Sequence, residues 1–375
     1  MPLAPPAAPY PPILIVDLAK RFGGAEVRVL ETAHLLHGRY PYAVAVLSGS
    51  PLHQRLEQAG LTTHPTPYAR SDPRQWLFFR QAIRRHGYRV IDAHNVQSQF
   101  WAHLAALTAG AHRVSTVHSA YKLEHNYSLK GRLYEQVLRL NRRWGVRFIV
   151  VSEAVERYLH HINIPDARIS LIHNSFRPAD GVWPGKNHPL LKSLGWDNHV
   201  FVVIVVARLE PVKGHRYLLE ALRQLGPARP NLRCLIVGDG RTRPALEQQI
   251  AQNNLGGRVH LAGFRDDIPA LLSAADAFCL PSLSEGLPFA LLEACGQRLP
   301  LLVSAVGGMA EFLSHQQTAY LVPPQDAAAL AAGLQWLADH PSLAQAMGQA
   351  AFDEAQRRFN PAEMLEKTLN IYHQK

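Results

Sequence analysis

At 375 residues the chain is long enough for two domains with separate cores, and 47% hydrophobic with 18% charged residues excludes a disordered tail or a fibre. The net charge of +10 lies wholly in the first half: Met1 to Asp180 holds 22 Lys and Arg against 12 Asp and Glu, while Gly181 to Lys375 holds 17 against 17. A one-sided field of this kind attracts a phosphate-bearing substrate or an anionic membrane surface, and on charge alone nucleic acid also remains open.

Met1 to Pro12 is proline-rich and lacks the basic start and apolar core of a secretory signal, and the next apolar run, Ile13 to Val16, is too short to span a bilayer. Ile13 to Asp17 reads as a strand, Arg21 to Gly24 as a turn, and Ala25 to Leu36 as a helix. Tyr42 to Leu47 is a second strand and Leu52 to Ala59 a short helix, after which Asp72 and Pro73 suit the cap and first turn of a helix ending near His86. Val90 to His94, Val114 to His118 and Phe148 to Val151 are further short apolar runs ending in polar residues. Such a series predicts a parallel sheet with helices on both faces.

Ser175 to His199 breaks the rhythm with Pro178, Pro184, Pro189, Gly181, Gly185 and Gly195 and no periodicity. A second set follows, with strands at Val202 to Val206, Leu232 to Val237, Val259 to Ala262, Ala277 to Leu280 and Leu301 to Ser304. Helices are expected at His215 to Leu225, Pro244 to Asn253, Ile268 to Ala274, Pro288 to Gly296, Asp326 to Ala338, Leu343 to Arg357 and Pro361 to Tyr372. The expected class is α/β with two doubly wound, Rossmann-like domains, whose ligands belong at the carboxyl ends of strands and in a central cleft. The first domain is placed at residues 1–178, a linker region at 179–199 and the second domain at 200–357. The segment 358–375 is expected to return to the first domain. Cys234, Cys279 and Cys295 sit among apolar neighbours without metal-site spacing, which suits a reducing compartment and no disulfide framework.

Several landmarks occur in order: Gly23-Gly24-Ala25-Glu26, Arg208 with Lys213-Gly214, Gly238-Asp239-Gly240, Gly263-Phe264, and Pro281-Ser282. Glu285-Gly286-Leu287-Pro288, Glu293, Val306-Gly307-Gly308 with Glu311, and Leu321-Val322-Pro323-Pro324 complete the set. Over residues 13 to 360 this resembles the family 4 retaining glycosyltransferases of GT-B fold. The resemblance implies a donor domain in the second half and an acceptor domain in the first. It assigns Glu285 to the donor sugar, Glu293 to the ribose hydroxyls and His118 to the neighbourhood of the sugar. The reaction implied is sugar transfer from a nucleotide diphosphate sugar, a UDP-sugar by family frequency, to a saccharide or lipid-linked saccharide in surface polysaccharide or glycolipid synthesis. A small-molecule acceptor, or a protein that binds the nucleotide sugar without turnover, is the alternative. No nucleic acid partner is expected.

The residues themselves support parts of this. Gly286 allows unusual backbone angles, Pro288 suits a first helical position, and the free N–H groups of the helix start beside Leu287 and Pro288 can receive a diphosphate. Arg208 and Lys213 follow a strand and offset charge accumulating on a departing diphosphate, which makes them catalytic by electrostatics. Two cations plus helix-end amides replace a divalent ion, and no Asp-x-Asp ends a donor-domain strand, so neither metal nor cofactor is expected. Asp266-Asp267 reads as a helix cap. Gly23-Gly24 gives close backbone approach to phosphate or acceptor, and Gly238 and Arg265 border the nucleotide. His94, Asn95, Ser152 and Asn174 stand at strand ends as lining candidates.

Tyr121 to Trp144 contains Lys122, Lys130, Arg132, Arg139, Arg142 and Arg143 among leucines and predicts an amphipathic helix. It is either a solvated basic face packed on the sheet or a surface resting on anionic lipid. The expected location is cytoplasmic, with peripheral contact to the inner membrane face under the second reading.

Overall fold

The computed structural model describes residues 11–121, 129–178 and 185–374. The chain forms two compact units, Met1–Ser175 with Pro361–Lys375, and Phe176–Asn360.

The first unit is built on a parallel seven-stranded sheet in the order β3-β2-β1-β4-β5-β6-β7. Its strands are β1 Ile13–Asp17, β2 Tyr42–Leu47, β3 Thr63–Thr66, β4 Val90–Ala93, β5 His112–Val117, β6 Arg147–Val150 and β7 Ile169–Leu171. Every residue of β1, β2 and β4 is buried, as expected of strands covered on both faces. Helices Gly24–Leu36, Pro51–Gln58 and Pro361–His373 cover one face, where Val29, Leu52, Leu56, Leu365 and Leu369 share a core with Ile13, Ile15 and Val44. Helices Arg74–His86 and Val96–Ala109 cover the other through Phe79, Ile83, Ala102 and Ala106. Asn95 opens the second of these, its Oδ1 accepting the Ser98 N–H at 3.0 Å, and Gly110 closes it at φ 75°. Asp72 does not occupy the cap position itself; Pro73 does, while the Asp72 carboxylate accepts the Arg74 N–H at 2.8 Å.

The second unit has a parallel six-stranded sheet ordered β10-β9-β8-β11-β12-β13. These are β8 Phe201–Val206, β9 Leu232–Val237, β10 Val259–Gly263, β11 Ala277–Leu280, β12 Leu301–Ser304 and β13 Tyr320–Val322. Cys234, Cys279 and Cys295 are buried free thiols, and burial pushes the Cys234 thiol up to about 12. In each sheet the winding direction reverses once, between β1 and β4 and between β8 and β11. Loops leaving those strands diverge there and open a crevice at their carboxyl ends.

The boundary falls after Ser175, three residues before the expected 178. The described part of 179–199 is no plain linker. It carries the short helix Pro189–Ser193, and Leu191 and Trp196 are buried in the second unit's core with Leu271 and Leu272. Gly181 and Pro184 lie outside the described residues, as do Met1 to Tyr10. The second unit also runs to Asn360 rather than 357, and helix Pro361–His373 then packs into the first unit through Leu365, Leu369 and Tyr372. No helix among the described residues is long and apolar enough to cross a membrane.

Helix Leu129–Arg143 is amphipathic, with Leu138 fully buried and Arg132, Arg139, Arg142 and Arg143 exposed. Its outer face also shows Leu129 and Leu133, 81% and 62% exposed. Lys122 and the side chain of Lys130 lie outside the described residues.

Candidate functional site

The crevice of the second unit is built from the loops after β8 and β11. The first carries Arg208 and the turn Pro211–Lys213, and the second runs from Pro281 to Pro288. Gly214 lets them touch: at φ 68° it lies so close that a Cβ there would fall 1.9 Å from the Pro281 carbonyl oxygen. The Leu283 N–H also donates to the Val212 carbonyl at 2.7 Å. This contact brings Lys213 to Glu285, 72 positions away in sequence. Lys213 Nζ lies 2.6 Å from Glu285 Oε1, and Ser282 Oγ donates to the same oxygen at 2.6 Å. The ion pair is sheltered, its side chains 14% and 7% exposed. One of the three ammonium hydrogens is thereby directed at the carboxylate, which leaves two donors and a fixed head position.

Glu285 is gripped from behind as well. Gly307, at φ 54°, sits so tightly that a Cβ would lie 1.9 Å from the Glu285 carbonyl oxygen, and the Gly308 N–H donates to the Gly286 carbonyl at 2.7 Å. Helix Phe289–Gly296 follows. Pro288, expected as its first residue, is its N-cap at φ −74° and ψ 132°, and no side chain caps it. The first amides therefore remain available as donors, and the peptide dipoles make that end favourable for an anion. Leu287 and Phe289 are buried and anchor this turn, while Glu293 lies a little over one turn into the helix and is half-buried. Arg208 is exposed. Behind Lys213, His215 is buried with neither ring nitrogen hydrogen-bonded, and burial together with the Lys213 charge pushes its pKa down to about 4.

Two expected nucleotide neighbours are explained by the fold. Gly238, at φ 135°, allows a backbone approach that puts a Cβ 2.0 Å from the Ala207 carbonyl, so its glycine is required for packing β9 against the loop after β8. Arg265 forms a two-pronged bond with Asp267, Nε to Oδ1 at 2.9 Å and Nη2 to Oδ2 at 2.6 Å. Asp267 stands at the N-cap position, but its side chain makes no cap bond; it takes Arg265 and His188 Nε2, the latter at 3.1 Å. The Arg265 bonds hold its carboxyl below the ordinary carboxylate range against the opposing effect of burial.

In the first unit the reversal between β1 and β4 gathers Asp17, His94, Asn95 and His118 at the carboxyl ends of β1, β4 and β5. Asn95 Nδ2 donates to Asp17 Oδ1 at 2.7 Å, and the Ala19 N–H donates to the same oxygen at 2.7 Å. Burial raises the Asp17 carboxyl, opposed by the neighbouring His94, and its Oδ2 is buried without a hydrogen-bond partner. His94 Nδ1 and His118 Nε2 are 3.0 Å apart, and the Asp92 carboxylate lies 3.6 Å from His94 Nε2. The other strand-end candidates have structural work. Ser152 accepts the Val155 N–H as an N-cap at 3.4 Å, and Asn174 Oδ1 lies 3.4 Å from the buried Arg28 guanidinium. Gly23 precedes helix Gly24–Leu36 at φ −165°, an extended angle open to any residue, and a Cβ there would stand 3.4 Å from Glu26 Oε2.

Sequence reasoning missed Asp17, Asp92 and His215. Asp92 and Asp17 read as ordinary residues of short apolar runs, and only the strand pairing Ile15↔Asp92 shows that they occupy neighbouring strands. The described residues also bring Glu156, His160 and Asp166 within metal-ligand reach of one another on the surface, with His160 and Asp166 exposed and no ion present.

A model described as Glycosyltransferase Family 4 matches residues 22–179, and one described as Glycosyl transferases group 1 matches residues 189–354. The chain is 26% identical to alpha-D-kanosaminyltransferase of Streptomyces kanamyceticus over 79% of this chain and 80% of that protein. It is 28% identical to UDP-Gal:alpha-D-GlcNAc-diphosphoundecaprenol alpha-1,3-galactosyltransferase of Escherichia coli, over 80% of this chain and 79% of that one. Among solved structures, Anabaena Alr3699/HepE in complex with UDP and glucose superposes with a TM-score of 0.84 at 23% identity, covering 96% of this chain and 98% of that one. At this identity the structural likeness speaks to fold.

Proposed function

Because the chain belongs to the family 4, group 1 glycosyltransferases and has a GT-B fold of two Rossmann-like units, we propose that it is a retaining enzyme taking a sugar from a UDP-sugar. The acceptor class proposed is a saccharide or lipid-linked saccharide of surface polysaccharide or glycolipid synthesis. The observation that carries the reading is the Lys213–Glu285–Ser282 cluster beside the uncapped start of helix Phe289–Gly296, at the winding reversal of the second sheet.

On this reading the diphosphate lies against the helix-start amides, and Arg208 with Lys213 takes up negative charge as the glycosidic bond to phosphate breaks. Glu285 holds Lys213 in place and meets the sugar hydroxyls, Glu293 meets the ribose, and the family resemblance puts His118 near the sugar. The fixed donors need no reorganisation as charge develops, which is the source of electrostatic catalysis. Two cations and the helix dipole neutralise the leaving group, so turnover is proposed to need no divalent ion. The relative named for transfer from UDP-Gal to a diphosphoundecaprenol-linked saccharide supports the donor and acceptor classes. The basic face of helix Leu129–Arg143, with Leu129 and Leu133 exposed, supports peripheral contact with anionic lipid.

Arg208→Ala tests the assignment: turnover falls by about 10²–10³ while UDP affinity measured by calorimetry changes little. Equal, small effects on both would remove Arg208 from the chemistry. Calorimetry with UDP, GDP and ADP, followed by the anomeric configuration of the product by NMR, decides base and stereochemistry. Turnover abolished by chelator and restored by magnesium would refute metal independence. Liposome binding that ignores lipid charge and salt would refute the membrane contact.

A further inference from the structure

The first unit holds an open cavity of about 910 Å³ at the C-terminal end of helix Leu129–Arg143, walled by that helix and by residues 162–168 ahead of β7. Arg139, Arg142 and Arg143 line it from the helix and Arg168 from the turn Asp166–Arg168, while Leu140 and Ile162 give it an apolar part. No carboxylate lines it. Among the described residues the ion pair that any of the four arginines makes is Arg139 to Glu135, at 4.0 Å. Asp166, in the same turn as Arg168, meets His160 at 3.7 Å.

The end of a helix ordinarily repels an anion, because its last carbonyls point outward unpaired. Here they are taken. The Trp144 N–H donates to the Leu140 carbonyl at 3.0 Å, the Val146 N–H to that of Asn141 at 3.1 Å and the Gly145 N–H to that of Arg142 at 3.1 Å. Arg168 Nη1 donates to the Arg142 carbonyl as well, at 2.5 Å, and Arg113 Nε to the Trp144 carbonyl at 2.8 Å. The bond from Arg168 uses one of its five guanidinium hydrogens, which holds the group at the cavity wall, half-buried, with four donors left.

We propose that this cavity binds a phosphate monoester or diphosphate group, at a site separate from the donor crevice of the second unit. A planar guanidinium meets a phosphate through two parallel N–H···O bonds, a geometry that a halide cannot match. Four positive charges around one cavity repel one another, and a carboxylate, with one negative charge, offsets less of that repulsion than a group carrying two or more. Leu140 and Ile162 suit the carbon portion of an organic phosphate. The same chemistry occurs in a soluble phosphate ester and in the headgroup of phosphatidate. The site depends neither on the sugar-transfer reading nor on contact of the helix face with a membrane.

Nitrogen NMR of arginine side chains in the full chain reads the site, with inorganic pyrophosphate titrated at constant ionic strength and Arg168→Lys used to assign the Arg168 Nε–H signal. The expected result is a saturable shift of that signal, read without nucleotide or acceptor. Arg142→Gln combined with Arg143→Gln should raise the midpoint about tenfold or more, the effect of losing hydrogen bonds to a charged group. Arg84→Gln combined with Arg85→Gln removes the same charge from exposed positions on another helix of the unit and should leave the midpoint where it was. An Arg168 signal that pyrophosphate does not move would overturn the proposal. An equal rise in both double variants would overturn it too, since diffuse charge would then account for the attraction. If the Arg142 and Arg143 pair does not fold, Arg143→Gln alone should weaken binding in the same direction, and an unchanged midpoint there would count against the site. Vesicles of phosphatidylcholine with phosphatidate, or with phosphatidylglycerol at matched surface charge, separate the sources. Preference for phosphatidate that disappears in the Arg142 and Arg143 variant supports a lipid headgroup; no preference, with pyrophosphate binding intact, supports a soluble phosphate ester.

Discussion

Replacing Gly307 by Ala should disable the enzyme without dissolving its fold. The left-handed angle of 54° disfavours any residue with a Cβ, by about 1–2 kcal/mol. The added Cβ would also sit 1.9 Å from the Glu285 carbonyl oxygen, and a tolerable contact begins near 3.0 Å, so the loop must move by roughly 1 Å. Overpacking against backbone costs about 1–3 kcal/mol more, giving roughly 2–5 kcal/mol in all. Those atoms belong to the residue whose side chain holds Lys213, so the displacement falls on the Lys213–Glu285 geometry, and about 1 Å of misplacement costs about 10²-fold in rate. Gly195→Ala is the control: its φ is 68° but nothing lies within 4 Å of the added atom. It should lose about 1–2 kcal/mol and keep its turnover. Initial rates at saturating donor and thermal unfolding are measured on both variants. Near-normal turnover in Gly307→Ala, or an equal loss of turnover in Gly195→Ala, would refute the argument that this close approach sets the position of Glu285.

Lys213→Met leaves the sheltered Glu285 carboxylate without its cation and should cost about 3–5 kcal/mol in denaturant unfolding. Adding Glu285→Gln should recover much of that stability and none of the activity; recovery of turnover would deny both side chains a role. Stability should also fall as pH drops from about 6.5 to about 4. His103 and His215 are both held down at about 4 by burial, so the unfolded chain binds more protons in that window and folding pays up to about 3 kcal/mol for each. Asp17, raised by burial, acts with the opposite sign and favours the folded state toward low pH. Urea midpoints compared at pH 7.5 and 4.5 check the net effect, and His215→Met should flatten the dependence; an unchanged slope would show that His215 titrates normally.

How far the fold was legible follows from burial. The central strands β1, β2, β8, β9, β11 and β12 are apolar along most of their length because both faces are covered, and their runs stand out in the sequence. The edge strand β3, Thr-His-Pro-Thr, has only its last residue buried, so it carries no apolar run. β7 and β13 are three residues each and only partly buried, too short for a periodicity to be counted. Leu191 and Trp196 were hidden for a related reason: they sit among the prolines and glycines of an irregular stretch, yet their side chains fill the second unit's core. Composition there reports the backbone's irregularity and says nothing of where two large side chains are buried.

The candidate site was legible in kind but not in pairing. Lys213 and Glu285 stood out as charges beside glycines at strand ends, but their bond depends on Gly214 admitting the Pro281 carbonyl across a gap in sequence. That is a fact of register and φ, and no local pattern contains it. The same holds for Asp92, which reads as one polar residue inside a buried strand until the pairings β1–β4 and β4–β5 and the return of Tyr372 supply its partners. Arg265 shows the opposite failure. Its type and place suggest an anion ligand, but a carboxylate two residues away already fills both prongs of its guanidinium. For a diphosphate to recruit Arg265 it would have to displace a bidentate intramolecular pair, whereas Lys213 keeps two donors beyond its carboxylate bond. On the proposed reading the geometry therefore favours Lys213 over Arg265 as the cation for the leaving group, and it makes the Lys213 position depend on the close approaches at Gly214 and Gly307.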